Sequence, residues 1–565
     1  MDLWLEQRLS TALGLPVGRG AGQATGRGEK ALPLRSALWL HQAQALADTL
    51  ERAVRDTLFY REKLAGLNVL GPGDPAQGHA PEAARQTAAR AGAQRKGRGG
   101  SSGKGRGLCA ALRRSAAQGP EAAREALLET LEALPLTRPE ELAAAPESFL
   151  AVPQDEVAGV ISTSGTTGQG KRIFCAQEDL QSSTDFFRHG MRYLVRPGAG
   201  NSGQAAGPEA AMPGAAPRSW LPNPRLPASR LPDPLGPDAR PPEVTLPGAA
   251  LPDPMPSGAM LSAPMLPNRV ALCMSGQRPG SVGQLFAGAM RDLGAPCLVA
   301  GFAPPDPAGG ALESYLRGLL DFAPGCLVGV PGQILALARH PLGRALGKSV
   351  QSVLFSGDTA PAPLRRAVEQ AWGCRVRLHY GLTEFGLGGA VECGEGSGCH
   401  GREADIFTEV SGGQILLTSL TRRAMPLLRY QCGDLGELDQ SPCPCGSALW
   451  RLRPLGRDSE CLDLGGGEVL KSWEADGALF ALPWLCFVSL EAHYAGESAR
   501  PSALKIFAGA HLRDIGREEA LAQAGALLAP LRQRLEQRGI GLELALLDGL
   551  TSPMPPKRSL KKVRT

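Results

Sequence analysis

Residues 162–171, with the sequence STSGTTGQGK, concentrate the residue types that bind phosphate. Five hydroxyl side chains and three glycines lie within ten residues, and Lys171 closes the run. Hydroxyl groups and glycine backbone N–H groups can point at one polyanion, and the lysine supplies positive charge. A P-loop would need Ser or Thr after the lysine, where Arg172 stands, so a P-loop NTPase is excluded at this position. The segment predicts a loop that binds a nucleotide's phosphates.

A second group of residues has the types and spacing of a metal site. Cys393 and His400 lie in a glycine-rich loop, and Cys443 and Cys445 follow about forty residues later. Two short ligand pairs can converge on one tetrahedral ion, so this pattern predicts a structural Cys₃His zinc site without an open coordination position. Cys399 competes for one position, and unliganded thiols are the alternative.

Two further residues near these motifs invite a catalytic interpretation. Cys432 lies beside Asp434 but has no flanking base, so we interpret it as a small residue near the nucleotide and not as a nucleophile. His379 is interpreted as structural. Taken alone, Asp434 in its Gly-Asp turn would be a surface turn residue.

Helices and short apolar strands that alternate along the chain must position these residues. A strand over residues 157–161 leads into the phosphate loop. Helices are predicted over residues 38–64, 121–134, 361–373 and 517–538, and further strands over residues 351–355, 375–378, 413–418, 503–507 and 542–547. Such alternation favours an α/β architecture, with the last hundred residues as a separate small α+β domain.

Two stretches break this pattern and are predicted to be inserts. Residues 83–120 contain no acidic residue and many arginines and lysines among small polar residues, which predicts a disordered basic loop; a tether for nucleic acid or another anionic partner is the alternative. Residues 208–267 contain 17 prolines, which predicts an extended spacer or a docking segment for proline-binding modules.

Composition limits the remaining possibilities. Hydrophobic residues make up 43% and charged residues 20% of the 565 residues, which excludes a wholly disordered chain. The formal net charge of +5 is too small to imply binding to nucleic acid or membranes by global charge. No secretory signal or membrane-spanning run is visible, and the 13 cysteines are interpreted as reduced thiols. A cytoplasmic protein without a membrane partner is expected.

The phosphate loop resembles that of the adenylate-forming superfamily of acyl- and aryl-CoA ligases and luciferases. Further matching motifs follow in the family's order, at residues 355–358 (FSGD), 379–384 (HYGLTE), 429–434 (RYQCGD) and 456–458 (GRD), with a lysine near the C-terminus. The chain is most similar to the phenylacetate-CoA ligase branch, at residues 59–63 (FYREK), 134–137 (LPLT), 391–393 (VEC), 418–421 (TSLT) and 424–429 (AMPLLR).

The resemblance implies a role for each matching residue. Tyr380 would stack on adenine, Thr383 would bond the α-phosphate, Glu384 would hold Mg²⁺, and Asp434 would accept hydrogen bonds from the ribose with Arg457 beside it. Asp458 would be the hinge between a large domain, residues 1–456, and a small mobile domain, residues 457–565. The full nucleotide set comprises Ser162, Thr163, Ser164, Gly165, Thr166, Thr167, Gly168, Lys171, Ser356, Gly357, Tyr380, Gly381, Asp434 and Arg457.

The resemblance also implies a mobile catalytic lysine. Lys561 in the ending SLKKVR matches best, although Leu560 stands where the family has glycine. Lys557 and Lys562 are nearby competitors, and a merely solvated basic tail is the alternative. Together with Thr383 and Glu384, Lys561 completes the predicted catalytic set.

The implied activity is an ATP-dependent, AMP-forming carboxylate–CoA ligase. Its substrates would be ATP with Mg²⁺, coenzyme A and an aryl, arylacetic or related carboxylic acid. One alternative retains adenylation and transfers the acyl group to a carrier protein or another acceptor. The other is a non-catalytic protein that binds nucleotides or nucleic acid. The sequence does not reveal which acid is used or the oligomeric state.

Overall fold

A computed structural model describes residues 2–18, 32–71, 107–162, 170–192, 194–195, 268–276, 281–305, 310–395, 398–510, 515–548 and 560–564. Residues 163–169, and with them Thr163, Ser164, Gly165, Thr166, Thr167 and Gly168, lie outside this part of the chain, as do Lys557 and the predicted insert at residues 208–267. Residues 1–200 and 266–565 belong to one compact unit.

The helices are mostly short and amphipathic. In chain order they are α1 (Asp2–Leu13), α2 (Leu34–Asp56), α3 (Leu58–Lys63), α4 (Leu108–Gln118), α5 (Pro120–Ala133), α6 (Pro139–Ala144), α7 (Gln177–Met191), α8 (Val282–Asp292), α9 (Ala311–Phe322), α10 (Pro331–Arg339), α11 (Ala362–Trp372), α12 (Ser472–Leu479) and α13 (Arg517–Glu536).

The single helix predicted over residues 38–64 is wrong in one respect, because the segment forms two helices. Thr57 adopts an extended conformation between α2 and α3, and its hydroxyl accepts a hydrogen bond from the Tyr60 backbone N–H. A threonine that caps a new helix gives the backbone an alternative to continuing the old one. Periodicity alone did not reveal this break, because apolar residues recur at helical spacing on both sides of it.

The predicted disorder of the basic insert at residues 83–120 is also wrong at its C-terminal end. Residues 72–106 are not described, but α4 begins at Leu108 and buries Cys109 and Leu112 against α2 and α5. Arg113 on its outer face pairs with Asp48, 2.7 Å away, and Glu51, 2.6 Å away. The basic residues in this part lie on the solvent-facing side of a packed helix.

The strands fall into one large sheet and several small ones. In chain order they are β1 (Val17–Gly18), β2 (Leu32–Pro33), β3 (Gly159–Ser162), β4 (Arg172–Cys175), β5 (Val270–Cys273), β6 (Cys297–Val299), β7 (Cys326–Gly329), β8 (Ser352–Ser356), β9 (Arg375–Tyr380), β10 (Ala390–Glu392), β11 (Cys399–Gly401), β12 (Ile406–Ser411), β13 (Gln414–Ser419), β14 (Tyr430–Asp439), β15 (Arg451–Arg457), β16 (Cys461–Gly465), β17 (Glu468–Lys471), β18 (Leu485–Tyr494), β19 (Ala503–Ala510), β20 (Gly541–Asp548) and β21 (Leu560–Arg564).

The large sheet contains eleven strands in the order β12-β13-β14-β15-β11-β10-β9-β8-β7-β5-β6. Its half from β9 to β6 is parallel, and its other half is antiparallel. In the parallel half Ser356 pairs with His379, so β8 and β9 end side by side. Ligands of open α/β sheets bind beyond the carboxyl ends of the strands, which is where these two strands deliver the predicted site residues.

Strands β18 to β21 form a four-stranded sheet in the order β20-β19-β18-β21, with α13 packed on it. Apolar residues of this sheet, among them Leu490 and Ile506, belong to the same buried cluster as Leu335 of α10. The α/β class with large mixed sheets and helices is confirmed, whereas a domain boundary at residue 456 stays a prediction. Among the described residues, no helix is long and apolar enough to span a bilayer.

Candidate active site

Lys171, at the end of the predicted phosphate loop, contacts the glutamate of the motif at residues 379–384. Its Nζ donates to Glu384 Oε1 at 2.7 Å and to the Tyr430 hydroxyl at 3.0 Å. The Tyr430 hydroxyl in turn donates to the same Glu384 oxygen at 2.9 Å. Three segments separated by up to 259 residues therefore meet at one carboxylate oxygen.

Glu384 is ionised in this setting. Glu384 is 5% exposed, and this burial acts to raise the pKa of its carboxyl group. The adjacent Lys171 charge and the hydrogen bonds to the carboxylate together outweigh burial and hold the pKa below the ordinary value. The hydrogen bonds from Lys171 and Tyr430 both end on Oε1, so a cation bound to Oε2 would not displace them. Removing one partner of such a buried pair costs about 3–5 kcal/mol.

A second polar group forms around Asp434, which is 9% exposed. The Tyr380 hydroxyl donates to its Oδ2 at 2.9 Å, and Arg457 Nε lies 3.4 Å from its Oδ1. Strand pairing places the two residues of this ion pair opposite each other, since Asp434 on β14 aligns with Arg457 on β15. The structure thus brings together the three residues assigned to adenine and ribose.

Cys432 lies beside this group, with its Sγ 3.7 Å from the Tyr380 hydroxyl. Burial, assisted by the negative charge of Asp434, raises the pKa of its thiol to about 12. A thiol that stays protonated at neutral pH is a poor nucleophile, which agrees with the non-catalytic interpretation of Cys432.

The loop that carries Thr383 and Glu384 is tight and strained. Residues Thr383–Phe385 form a 3₁₀ turn, and Leu387 N–H closes the loop by donating to Leu382 O at 2.7 Å. Leu387 has a φ of 73°, which is unfavourable for a residue with a Cβ. Gly381 is required here because a Cβ would collide with the Leu387 carbonyl oxygen. Strain of this kind concentrates at functional sites.

Ser356 is the last residue of β8 and Gly357 follows it, beside the end of β9 that leads into the same loop. The Ser356 hydroxyl lies 2.9 Å from His379 Nδ1, and the two residues are paired across β8 and β9. Gly357 has a φ of 85°, so a residue with a side chain would be strained where the chain leaves the strand. Ser162, the first residue of the predicted phosphate loop, ends β3 and pairs with Arg172.

Lys561 lies on β21, at one edge of the four-stranded C-terminal sheet. Its Nζ is 3.2 Å from Glu491 Oε1 on the neighbouring β18, and its side chain is 69% exposed. Lys562 follows on the opposite face of the same strand, because successive side chains of a strand alternate. The predicted hinge residue Asp458 begins a 3₁₀ turn directly after β15. In the described part of the chain, Lys561 therefore forms no hydrogen bond or ion pair with Thr383 or Glu384, the other predicted catalytic residues.

The four predicted metal ligands form a compact cluster. One ligand atom each from Cys393, His400, Cys443 and Cys445 lies within 4.8 Å of the others. Cys393 Sγ is 3.7 Å from Cys443 Sγ, and His400 Nε2 is 3.2 Å from Cys445 Sγ. Cys399 is not part of the cluster, because strand alternation on β11 turns it away from His400 and its Sγ lies 3.7 Å from Leu378 O.

Sequence reasoning missed two residues that contact Glu384. Tyr430 was noticed only as part of a motif, yet its hydroxyl bonds the carboxylate. Arg422 is buried, and its guanidinium donates to the Glu384 backbone carbonyl and, at 3.4 Å, to Phe174 O. A buried arginine fixed on main-chain carbonyls holds the loop against β4. No spacing rule links residues this far apart in the chain.

The chain was compared with known proteins in three ways. No protein-family model matches it. A phenylacetate-coenzyme A ligase of Thermus thermophilus is 27% identical over 332 residues, which cover 52% of this chain and 73% of that protein. An indoleacetate–lysine synthetase of Pseudomonas savastanoi is 31% identical over 133 residues, which cover 22% of this chain and 33% of that protein.

Among solved structures, the fold resembles that of a 2-hydroxyisobutyryl-CoA ligase in the postadenylation state in complex with R3-HIB-AMP. The TM-score is 0.57, and the match covers 97% of this chain and 91% of that chain at 15% sequence identity. At this identity the resemblance concerns the fold alone. It extends across both the large sheet and the C-terminal sheet of the described residues.

Proposed function

We propose that this chain, a homologue of phenylacetate-CoA ligases with the fold of adenylate-forming CoA ligases, is an ATP-dependent, AMP-forming carboxylate–CoA ligase. One observation carries the proposal. In a chain with this fold, the Lys171 ammonium and the Tyr430 hydroxyl both donate hydrogen bonds to the Glu384 carboxylate. A fold alone does not imply an activity, but a charged site where its phosphate loop ends does support one.

The chemistry requires two displacement steps. A carboxylate resists nucleophiles because its negative charge is delocalised over the carbonyl group. Its oxygen therefore first attacks the α-phosphorus of ATP, which expels pyrophosphate and leaves a mixed acyl–AMP anhydride. The thiol of coenzyme A then attacks the acyl carbon and expels AMP, and no covalent enzyme intermediate forms. The protein's contribution is positioning and charge stabilisation.

The residues around the site support a division of this work. Lys171, with Ser162 and the loop that includes Thr163, Ser164, Gly165, Thr166, Thr167 and Gly168, would bind the β- and γ-phosphates. Thr383 would bond the α-phosphate, with Ser356, Gly357 and Gly381 lining the approach. Tyr380 would stack on adenine while Asp434 and Arg457 hold the ribose. Asp434 already accepts from Tyr380, so the ribose must share or replace that hydrogen bond.

The residues present also suit Mg²⁺ as the partner of ATP. Carboxylate oxygen is the ligand type this cation prefers, and Glu384 Oε2 is free of the two hydrogen bonds that end on Oε1. When bound with ATP, the cation would neutralise phosphate charge. Lys171 would then remain on Oε1 and keep Glu384 ionised.

One alternative to coenzyme A as the acceptor of the acyl group is supported by an observation. The name of the Pseudomonas savastanoi relative joins a carboxylic acid to lysine, so an amine in place of a thiol is a specific second candidate. Both candidates share adenylation and differ only in the group that attacks the acyl carbon. Nothing comparable supports a non-catalytic nucleic-acid-binding function.

A panel of carboxylic acids tests the proposal. With ATP and Mg²⁺, at least one aryl or arylacetic acid should support exchange of labelled pyrophosphate into ATP, because adenylation is reversible. Adding coenzyme A should then convert that acid to a thioester, whereas lysine in its place should not yield an amide. Amide formation without thioester would favour the second candidate, and no exchange with any acid would reject both.

We also propose that Cys393, His400, Cys443 and Cys445 bind a structural Zn²⁺. The distances of 3.7 Å and 3.2 Å are close to the edge of a tetrahedron with metal–ligand bonds of about 2.0–2.3 Å. His400 Nδ1 lies 3.1 Å from Leu449 O, and an N–H at that position would direct Nε2 toward the thiols. The ion would fasten the loop after β10 to the loop before β15.

Metal analysis of protein purified without a histidine tag tests this proposal. About one equivalent of zinc is expected, and Cys445→Ser should lower it strongly, because a lost thiolate ligand weakens the site. Cys445 is exposed, so its replacement should not by itself disturb packing. The matched control is Cys399→Ser, which should retain the zinc. Equal zinc in both variants, or none in the unaltered protein, would contradict the assignment.

The proposed ligase function includes a division of the chain into two domains. These are a large domain, residues 1–456, and a small mobile domain, residues 457–565. Asp458 would act as the hinge. Since Lys561 pairs with Glu491 here, reaching the nucleotide would require the small domain to turn.

A further inference from the structure

His379 presents a ring nitrogen that the fold leaves unsatisfied. Its Nδ1 lies 2.9 Å from the Ser356 hydroxyl, but its buried Nε2 has no hydrogen-bond partner among the described residues. A buried polar atom without a partner destabilises the folded state, so each one calls for an explanation. Nδ1 is therefore held by a hydrogen bond, whereas Nε2 lacks one among the described residues.

The surroundings of the imidazole are aromatic. The rings of Phe186 and Phe187 on α7 lie with their centroids 6.1 Å and 5.9 Å from that of His379. Phe286 on α8 packs edge-on against Phe187 at 5.6 Å. Burial lowers the pKa of His379 to about 4, so the ring is neutral at physiological pH. A neutral imidazole among phenyl rings suits the uncharged, mainly apolar part of a ligand.

The position of His379 connects it with the site. It precedes Tyr380 at the carboxyl end of β9 and faces Ser356 at the end of β8. The residue as a whole is partly exposed, whereas its Nε2 is buried.

We infer that His379 contacts the acid substrate and selects acids that carry a hydrogen-bonding substituent, such as hydroxyl or amino, on an aromatic body. This inference rests on the proposed function and narrows its substrate class. The Ser356 hydroxyl anchors Nδ1, which fixes the direction of Nε2. The substituent satisfies Nε2, and the phenyl rings pack on the aromatic body. A site built to bond a polar group discriminates against an analogue without it, because its own polar atom is then left unpaired.

Matched pairs of acids test the inference. Hydroxyl- and methyl-substituted benzoates and phenylacetates, each at ortho, meta and para positions, have nearly equal size. In pyrophosphate exchange at least one hydroxyl acid should exceed its methyl partner by about tenfold or more in kcat/KM, which corresponds to about 1.4 kcal/mol. In His379→Leu this ratio should fall to about three or less, mainly through loss of activity with the hydroxyl acid.

A second variant separates recognition from folding. Ser356→Ala removes the anchor of Nδ1 and should reduce the same ratio. Because Ser356 also lines the proposed approach to the α-phosphate, both acids can be used more slowly, and the readout is the ratio between them. If His379→Leu does not fold, the ratio in the unaltered protein and in Ser356→Ala decides the question.

Two results would overturn the inference. One is the absence of any hydroxyl preference in the unaltered protein, and the other is an unchanged ratio in the variants, including an equal loss of activity with both acids in His379→Leu. Each of these requires exchange with some acid. The absence of exchange with every acid would instead reject the proposed function itself.

Discussion

Glu384→Gln is expected to slow acyl-adenylate formation by about 10²–10³-fold, the usual effect of removing one group that stabilises charge in the transition state. The substitution removes the negative charge that faces Lys171 and the oxygen proposed to bind Mg²⁺. Glutamine retains the shape of the side chain and can still accept a hydrogen bond from Tyr430. The measurement is acid-dependent pyrophosphate exchange under saturating ATP.

The control for Glu384→Gln is Glu403→Gln. Glu403 is equally buried, at 6% exposed, and forms an ion pair with Arg35, but it contacts none of the predicted nucleotide residues in the described structure. Both variants should lose thermal stability through a broken buried pair. Only Glu384→Gln should lose adenylation out of proportion to its stability. Exchange within tenfold of the unaltered protein in folded Glu384→Gln would contradict the assigned role.

Lys561→Ala is expected to slow adenylation by about 10²–10³-fold and to change thiolysis of a supplied acyl-adenylate less than about threefold. The reason is that the ammonium charge is needed while charge develops around the α-phosphorus, and the attack of the thiol no longer passes through that state. The two half-reactions are measured separately, by pyrophosphate exchange and by thioester formation from the synthetic adenylate.

Lys562→Ala is the matched control for Lys561→Ala, because the two lysines are neighbours on one strand with opposite orientations. It should leave both half-reactions nearly unchanged. If Lys562→Ala instead shows the selective loss of adenylation, the catalytic lysine has been assigned to the wrong neighbour. Equal loss of both steps in Lys561→Ala would indicate a structural role.

The alternation of helices and apolar strands in the sequence predicted the α/β fold class. The strand at residues 375–378 and the helix at residues 361–373 agree with β9 and α11 to within two residues, because both have clear periodicity and flanking turn residues. The break at Thr57 and the helix α4 were missed. At Thr57 a helix cap ends α2 although the apolar periodicity continues. In α4 an apolar face packs against α2 and α5 although the composition of the segment is basic.

The site could be predicted only where a motif carried its own chemistry. The alternative between Cys399 and His400 was left open because adjacent residues cannot be ranked until the strand is known, and alternation on β11 then separates them. The contacts of Arg422 and Tyr430 with Glu384 depend on how residues 38 and 46 positions further along the chain return to the loop. Such long-range proximity leaves no signal in spacing or composition.

Oxygen transfer from the acid tests the central claim most directly. The acid that supports exchange is labelled with ¹⁸O in its carboxylate and turned over with ATP, Mg²⁺ and coenzyme A. If the carboxylate attacks the α-phosphorus, one labelled oxygen per turnover must remain on AMP when the thiol expels it, and the pyrophosphate must be unlabelled. Label in inorganic phosphate, or thioester formation with unlabelled AMP, would contradict activation by adenylation.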